Sequence, residues 1–288
     1  MNPLKPPTKG FVLTNVADRR GLLTWMRSSW TVSLARVGLF VIGWETIKAS
    51  AGFPKAVLPH VWEVGTYLGT PTSNGDPFGL YLVNNMGVTF REAVVGLLAG
   101  SCCGVVTGTV IGLSRRVGRG LLPLVVASQT VPIIAIAPAI VIWLGTDWLT
   151  KAVIAGYLCF FPVAVTTARG FADVSVESLA LMRTLNASRL QVFLALRMPS
   201  ALPMIFVGLE TAAAFAVLGS LVGELPVGSS EGVGFVILSA SQFYTYAPEA
   251  LYGAVAGTFV TGIGLVLLIK LIERVMLRNR RSAAVGAS

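Results

Sequence analysis

The chain has 288 residues, a formal net charge of +9, 54% hydrophobic residues and only 12% charged ones, with a mean hydropathy of +0.76. A soluble domain carries about 25% charged residues, so this chain lacks the polar surface to cover itself in water. A disordered protein, a collagen or coiled-coil rod and a soluble enzyme are excluded, and an all-α, polytopic membrane protein is expected.

The first 29 residues form a basic tail with Lys5, Lys9, Arg19, Arg20 and Arg27. The tail is too long for a cleavable leader and has no clear small-residue cleavage site after it. It suits anionic lipid headgroups. A helix that crosses hydrocarbon needs about 20 mostly apolar residues, and six stretches qualify. They are Trp30–Ala49, Val88–Leu113, Gly120–Ile142, Leu149–Ala168, Pro203–Glu224 and Pro248–Ile272. The runs are long and continuously apolar, unlike the alternating strands of a barrel. A basic tail, 274–288, closes the chain. Seventeen Lys and Arg fall in the N-terminal tail, in the links after the second and fourth stretches and at the C-terminal end from Lys270 onward, against only Lys55 and Lys151 on the other side. The positive-inside rule then puts both termini in the cytoplasm. Topology thus accounts for the net charge, and no nucleic-acid partner is needed.

His60 stands alone in a loop. Cys102, Cys103 and Cys159 lie in apolar stretches without metal-ligand spacing and are expected to be small buried residues. No metal or cofactor is expected. In the second stretch Gly96, Gly100, Gly104, Gly108 and Gly112 recur every four residues, a stripe that lets helix backbones approach closely. The third stretch carries Pro123, Pro132 and Pro138, with Ser128, Gln129 and Thr130 before the second proline. Such polar groups at a weakened helix either line a translocation path or bond to a neighbouring helix. Arg91 and Glu92 are read as interfacial. Glu210, seven residues after Pro203, is deeper and either faces a path or forms an ion pair within the bundle.

The link between the fourth and fifth stretches is long and has its own helical rhythm. Leu179, Met182 and Leu185 are followed by Leu190, Phe193 and Leu194; Asn186, Ala187 and Ser188 separate the halves, and Pro199 and Pro203 end the unit. A link of this kind is built to dock a partner or lie on the membrane.

RTLNASRLQVFLALRMPSALPMIFVGL resembles the EAA loop of ATP-binding-cassette (ABC) importer permeases. Asn186 falls at the family's glycine, Leu196, Met198 and Pro199 at its I-x-L-P end, and Ala180, Leu181 and Met182 where E-A-A is expected. SQTVPIIAIAPAIVIWLG and GSLVGELPVGSSEGVGFVILSASQFY are similar to the sulfonate, taurine and nitrate branch, and in detail to permeases for riboflavin or the thiamine pyrimidine precursor. The resemblance runs from about Asn84 to the C-terminus. It implies a first helix with its outer loop (30–83), a transporter domain (84–273) and a coupling loop (172–202) in which Ala180, Thr184, Asn186, Ala187, Ser188 and Pro199 face an ATPase. The implied partners are separate ABC ATPase subunits, an extracytoplasmic substrate-binding protein and a second permease subunit, identical or homologous. No GxxxxGK[ST] run is present to cradle ATP, so the chain is not expected to be an enzyme. An inverted repeat, the mark of many secondary transporters, is not found. No catalytic carboxylate pair, Ser–His set or metal cluster is apparent. An unpaired Glu210 carboxylate in a low-dielectric path would repel an anion, which favours a neutral heterocycle over a sulfonate, taurine or nitrate.

Overall fold

The computed structural model describes residues 19–225 and 230–285, with side chains described at 35–114, 116–225 and 230–277. The basic N-terminal tail up to residue 18 and the last three residues of the C-terminal tail lie outside the described residues. The chain divides into two units, Met1–Phe53 and Pro54–Ser288. In the first, α1 (Arg19–Ala51) runs unbroken through the expected first span. It stops at Gly52, which has φ +63° and donates its N–H to Lys48 O at 3.1 Å.

Among its described residues the second unit has helices and loops and, as its one β element, an isolated bridge between Pro71 and Pro77. Its helices in order are α2 (Val61–Tyr67), α3 (Phe78–Leu113), α4 (Arg115–Ser128), α5 (Ile133–Leu144), α6 (Trp148–Ala172), α7 (Val176–Thr184) and α8 (Arg189–Val192). A π-helical turn, Phe193–Arg197, leads into α9 (Met198–Glu224), followed by α10 (Val233–Gln242) and α11 (Pro248–Val285). Among the described residues four helices are long and apolar enough to cross a membrane: Phe78–Leu113, Trp148–Ala172, Arg189–Glu224 and Pro248–Leu277. Helices α2 and α10 lie in links that sequence periodicity leaves without structure.

The expected third span is not one kinked helix. Residues 116–128 and 133–144 meet at 87°. Pro132 cannot donate to the preceding turn, and its ring pushes Val131 out of the helical region. The last turn of α4 tightens instead: Gln129 N donates to Val126 O at 3.2 Å and Thr130 N to Ala127 O at 3.0 Å. Pro123 and Pro138 are accommodated inside α4 and α5.

Helix α6 is the centre of the unit, packed along its length between α3 and α9. All five glycines of the α3 stripe lie against it. A methyl group at Gly104 would sit 2.8 Å from Phe160 O and 2.9 Å from Val163 Cβ; one at Gly112 would sit 2.6 Å from Phe171 Cβ. Helix α9 approaches from the other side through Gly208, Gly219 and Gly223. The core this forms is built of Ala93, Leu97, Cys159, Val163, Phe206, Ala212, Ala216 and Leu265. A second core joins Phe78 and Leu82 of α3 to Val233 and Val236 of α10 and Ala254 of α11. Cys159 is buried, its thiol 3.2 Å from Ala212 O. Cys102 and Cys103 are exposed, contrary to expectation. The stripe takes the buried face of α3, and these two residues fall outside it.

The contact between α3 and α6 has little room. Gly104→Ala is expected to lower the stability of the detergent-purified protein by about 1–3 kcal/mol through overpacking. Gly87→Ala, where nothing lies within 4 Å of the added methyl, is expected to leave it unchanged or slightly raised. Thermal or denaturant melting of the two variants checks this.

Candidate functional site

Two constructions stand out, at the two ends of one long helix. The first is the turn between α7 and α8. Ser175 caps α7, accepting from Ser178 N at 3.2 Å. At the other end Asn186 has φ +51°, the only positive φ outside glycine among the described residues. Its N–H donates to Arg183 O at 3.0 Å, and the Ala187 N–H to Met182 O at 3.0 Å. These are the two bonds of a Schellman motif, whose residue after the cap is left-handed. The left-handed region favours glycine and, among other residues, tolerates asparagine. Asn186 therefore suits the position where the resemblance placed a glycine. Ser188 then starts α8 with a capping box: Ser188 N donates to Gln191 Oε1 at 2.8 Å, and Gln191 N donates to Ser188 Oγ at 3.3 Å.

Ala180, Thr184, Asn186 and Ser188 are exposed, and Ala187 and Pro199 half-buried. Leu181, Leu185, Leu190 and Leu194 are each more than half exposed. The unit is nonetheless tied to the bundle, because Phe193 stacks on Phe171 of α6 with centroids 5.7 Å apart. From Arg189 the helix continues through the π turn to Glu224, 36 residues in all, or about 54 Å.

Ser128, Gln129 and Thr130 lie at the bend between α4 and α5. The Ser128 hydroxyl donates to Val125 O and the Thr130 hydroxyl to Ala127 O, both at 2.7 Å. Ser128 O accepts from the Tyr157 hydroxyl of α6. Gln129 and Thr130 are exposed on this chain. Glu210 is half-buried and paired with Lys270 of α11 at 3.4 Å. Glu210 is therefore not the lone carboxylate that the sequence suggested: Lys270 pairs with it, and the Glu273 carboxyl of α11 also lies beside it.

The second construction is a buried polar cluster where α3, α6, α9 and α10 meet. Glu92, Thr89 and Glu224 have no exposure, Lys151 5% and Asn85 7%. Lys151 Nζ is 3.4 Å from Glu92 Oε1, and the carboxyls of Glu92 and Glu224 adjoin. Glu224 Oε1 accepts from the Thr89 hydroxyl at 2.6 Å, and Oε2 from Gly234 N at 2.5 Å. Gly232 N donates to Asn85 Oδ1 and Val233 N to Thr89 Oγ1, both at 2.8 Å. The amide of Gly232, which caps α10, and the first two amides of α10 are thus each received by a side chain of α3 or α9. Gly232 has φ +99°, and a methyl on it would run into the Glu224 carboxyl; only glycine suits both demands.

Sequence reasoning missed this cluster. It took Glu92 as interfacial, counted Lys151 only as a charge of the less basic side, and gave Glu224 no role beyond ending the fifth stretch. The usable signal was three ionisable residues at or near the ends of three apolar spans that share one side. The other lysine of that side, Lys55, is also paired, with Glu249 at 2.5 Å and Glu63 at 3.7 Å. Its hydrogen bond to the Glu249 carboxylate raises its pKa. Arg91 lies over the Trp148 ring, 4.8 Å from its centroid. Among the described residues no group of three or more His, Cys, Asp or Glu is placed to hold a metal ion.

Residues 94–281 match the family described as binding-protein-dependent transport system inner membrane component. The chain is similar to a probable ABC transporter permease protein of Haemophilus influenzae, 33% identical over 71% of this chain and 80% of the relative. A putative aliphatic sulfonates transport permease protein of Bacillus subtilis is 28% identical, over 89% and 90% of the two chains. A formylaminopyrimidine transport permease protein of Halalkalibacterium halodurans is 32% identical, over 65% and 74%.

Removing one partner of a buried ion pair costs about 3–5 kcal/mol, because the other charge stays buried. Lys151→Met is expected to destabilise the protein by that order. Adding Glu92→Gln to Lys151→Met is expected to recover most of the loss, since Glu224 keeps its own donors. A double-mutant cycle on melting free energies measures the coupling; additive losses would contradict the pairing.

Proposed function

The chain belongs to the family of binding-protein-dependent transport system inner membrane components, and from that premise we propose the part it plays in an assembled transporter. It is an ABC importer permease of the branch with sulfonate, taurine and nitrate permeases, a multi-pass membrane protein, and not itself an enzyme. In the proposed assembly two permease subunits form the path and two separate ATPase subunits bind beneath them. A binding protein brings solute to the outer face. Both termini are cytoplasmic, as the seventeen-to-two split of Lys and Arg favours.

The observation that carries the proposal is the α7–α8 turn. It is locked by a Schellman motif and a capping box, displays leucines to solvent, and continues without a break into a membrane helix. A rigid apolar knob of this kind suits a groove on a soluble partner. Ala180, Thr184, Asn186, Ala187 and Ser188 contribute to its surface, and Pro199 sits where the helix enters the bundle. The missing E-A-A charges leave shape and apolar contact to hold the ATPase. ATP-driven closure of that partner would then bias the permease between two packed states.

For the substrate we favour a small neutral heterocycle, of the type of riboflavin or a thiamine pyrimidine precursor. The bent α4–α5 pair, including Ser128, Gln129 and Thr130, has no charged residue between Arg119 and Asp147 with which to hold an anion. The similarity to the formylaminopyrimidine permease supports the same choice. A small anion is the second reading. It is favoured by the sulfonate relative; the Glu210–Lys270 pair offsets only part of the negative charge, because the Glu273 carboxyl adjoins Glu210.

The test is assembly and coupling in proteoliposomes. The permease is expected to co-purify with an ABC ATPase whose hydrolysis rises when the loaded binding protein is added. Ala187→Glu is expected to abolish that rise while the permease still inserts. Coupling that survives Ala187→Glu at wild-type stoichiometry would sink the docking assignment. Binding of a ligand panel to the cognate binding protein separates a heterocycle from an anion.

A further inference from the structure

The buried cluster has a mechanical consequence that the transporter reading does not contain. The helical run that ends in α9 starts at Arg189, directly after the α7–α8 turn, and reaches Glu224, 36 residues in all. Between them α9 is held against α6 at Gly208, Gly219 and Gly223, with backbone atoms of α6 near each. At its far end Glu224 grips the N-terminus of α10, and Asn85 and Thr89 hold the same turn from α3. Lys151, paired with Glu92 behind Glu224, is the one positive charge beside the two carboxyls, and Glu224 is held buried by its own donors, Thr89 and Gly234. Breaking this grip would strand a carboxylate and three amides away from water, a cost far above that of a loop contact.

We propose that Asn85, Thr89 and Glu224 are positioning residues that fasten α10 to α3 and α9. Helix α10 then moves as one body with the far end of α9. Displacement of the α7–α8 turn reaches the outer mouth through α9 and this fastening. The direction of drive rests on the transporter reading above; the fastening rests on the geometry alone.

Spin labels at exposed Ser241 of α10 and Leu113, the last residue of α3, read the attachment, in a background with Cys102, Cys103 and Cys159 replaced by alanine. In the nanodisc-held permease–ATPase complex, the wild type is expected to give one narrow distance, unchanged by nucleotide. Thr89→Val is expected to broaden it and to lose the stimulation of ATP hydrolysis by the binding protein. Thr89→Ser, which keeps the hydroxyl, is expected to restore both. A wild-type distance that shifts between nucleotide states would make α10 an independent lid and overturn the proposal, as would a narrow distance in Thr89→Val. Where Thr89→Val does not accumulate, the wild-type comparison across nucleotide states decides. If no ATPase assembles, the transporter reading fails, and the distance in the isolated permease with and without Thr89→Val still decides the fastening.

Discussion

The rest of this structure depends on how closely α6 lies to its two neighbours. Water drives no association between helices inside a bilayer, because lipid tails are as apolar as leucine. What holds α3, α6 and α9 together is contact between backbones, and that requires side chains to be missing where they meet. Five glycines of α3 and three of α9 supply the absence, opposite Ala152, Ala155, Gly156 and Ala168 on α6. The α4–α5 pair also leans on α6. The contact therefore decides where the bent segment, the α7–α8 turn and the buried charges end up.

The buried charges bear on motion more than on net stability. An ion pair removed from water barely repays its desolvation. Here Glu92, Lys151 and Glu224 bring together elements far apart in sequence, and any slip among α3, α6 and α9 at this level would expose a mismatched charge. Close packing and the ion cluster thus favour the same behaviour: three helices that shift as a block. The α7–α8 turn adds a stiff handle at the other end, closed by its own local hydrogen bonds and anchored by the Phe171–Phe193 stack.

Much of this was legible in the sequence because it is local. The apolar spans, the four-residue glycine period and the two-helix link all show as periodicity. The glycine position filled by Asn186 looked like a departure from the family pattern until its φ of +51° gave the reason. What was not legible needed partners distant in sequence. Glu224 meets Thr89 across 135 residues, and no spacing rule connects them. Lys270 reaches Glu210 from another helix, so a charge that looked solitary in the sequence has a partner. The prolines of the third span signalled weakness there. They did not show that Pro132 alone would break the helix while Pro123 and Pro138 are absorbed. Helix α10 went unnoticed because ten apolar residues beside a long loop resemble the start of a span.

The central claim is that α3, α6 and α9 form one block from the α7–α8 turn to the α10 fastening. Hydrogen exchange on the reconstituted complex, with and without ATP, tests it most directly. The account predicts equally strong protection in both states along α6 and along α9 from about Gly208 to Glu224, with changes confined to the α7–α8 turn. Nucleotide-dependent exchange in the middle of α9 or α6 would contradict it.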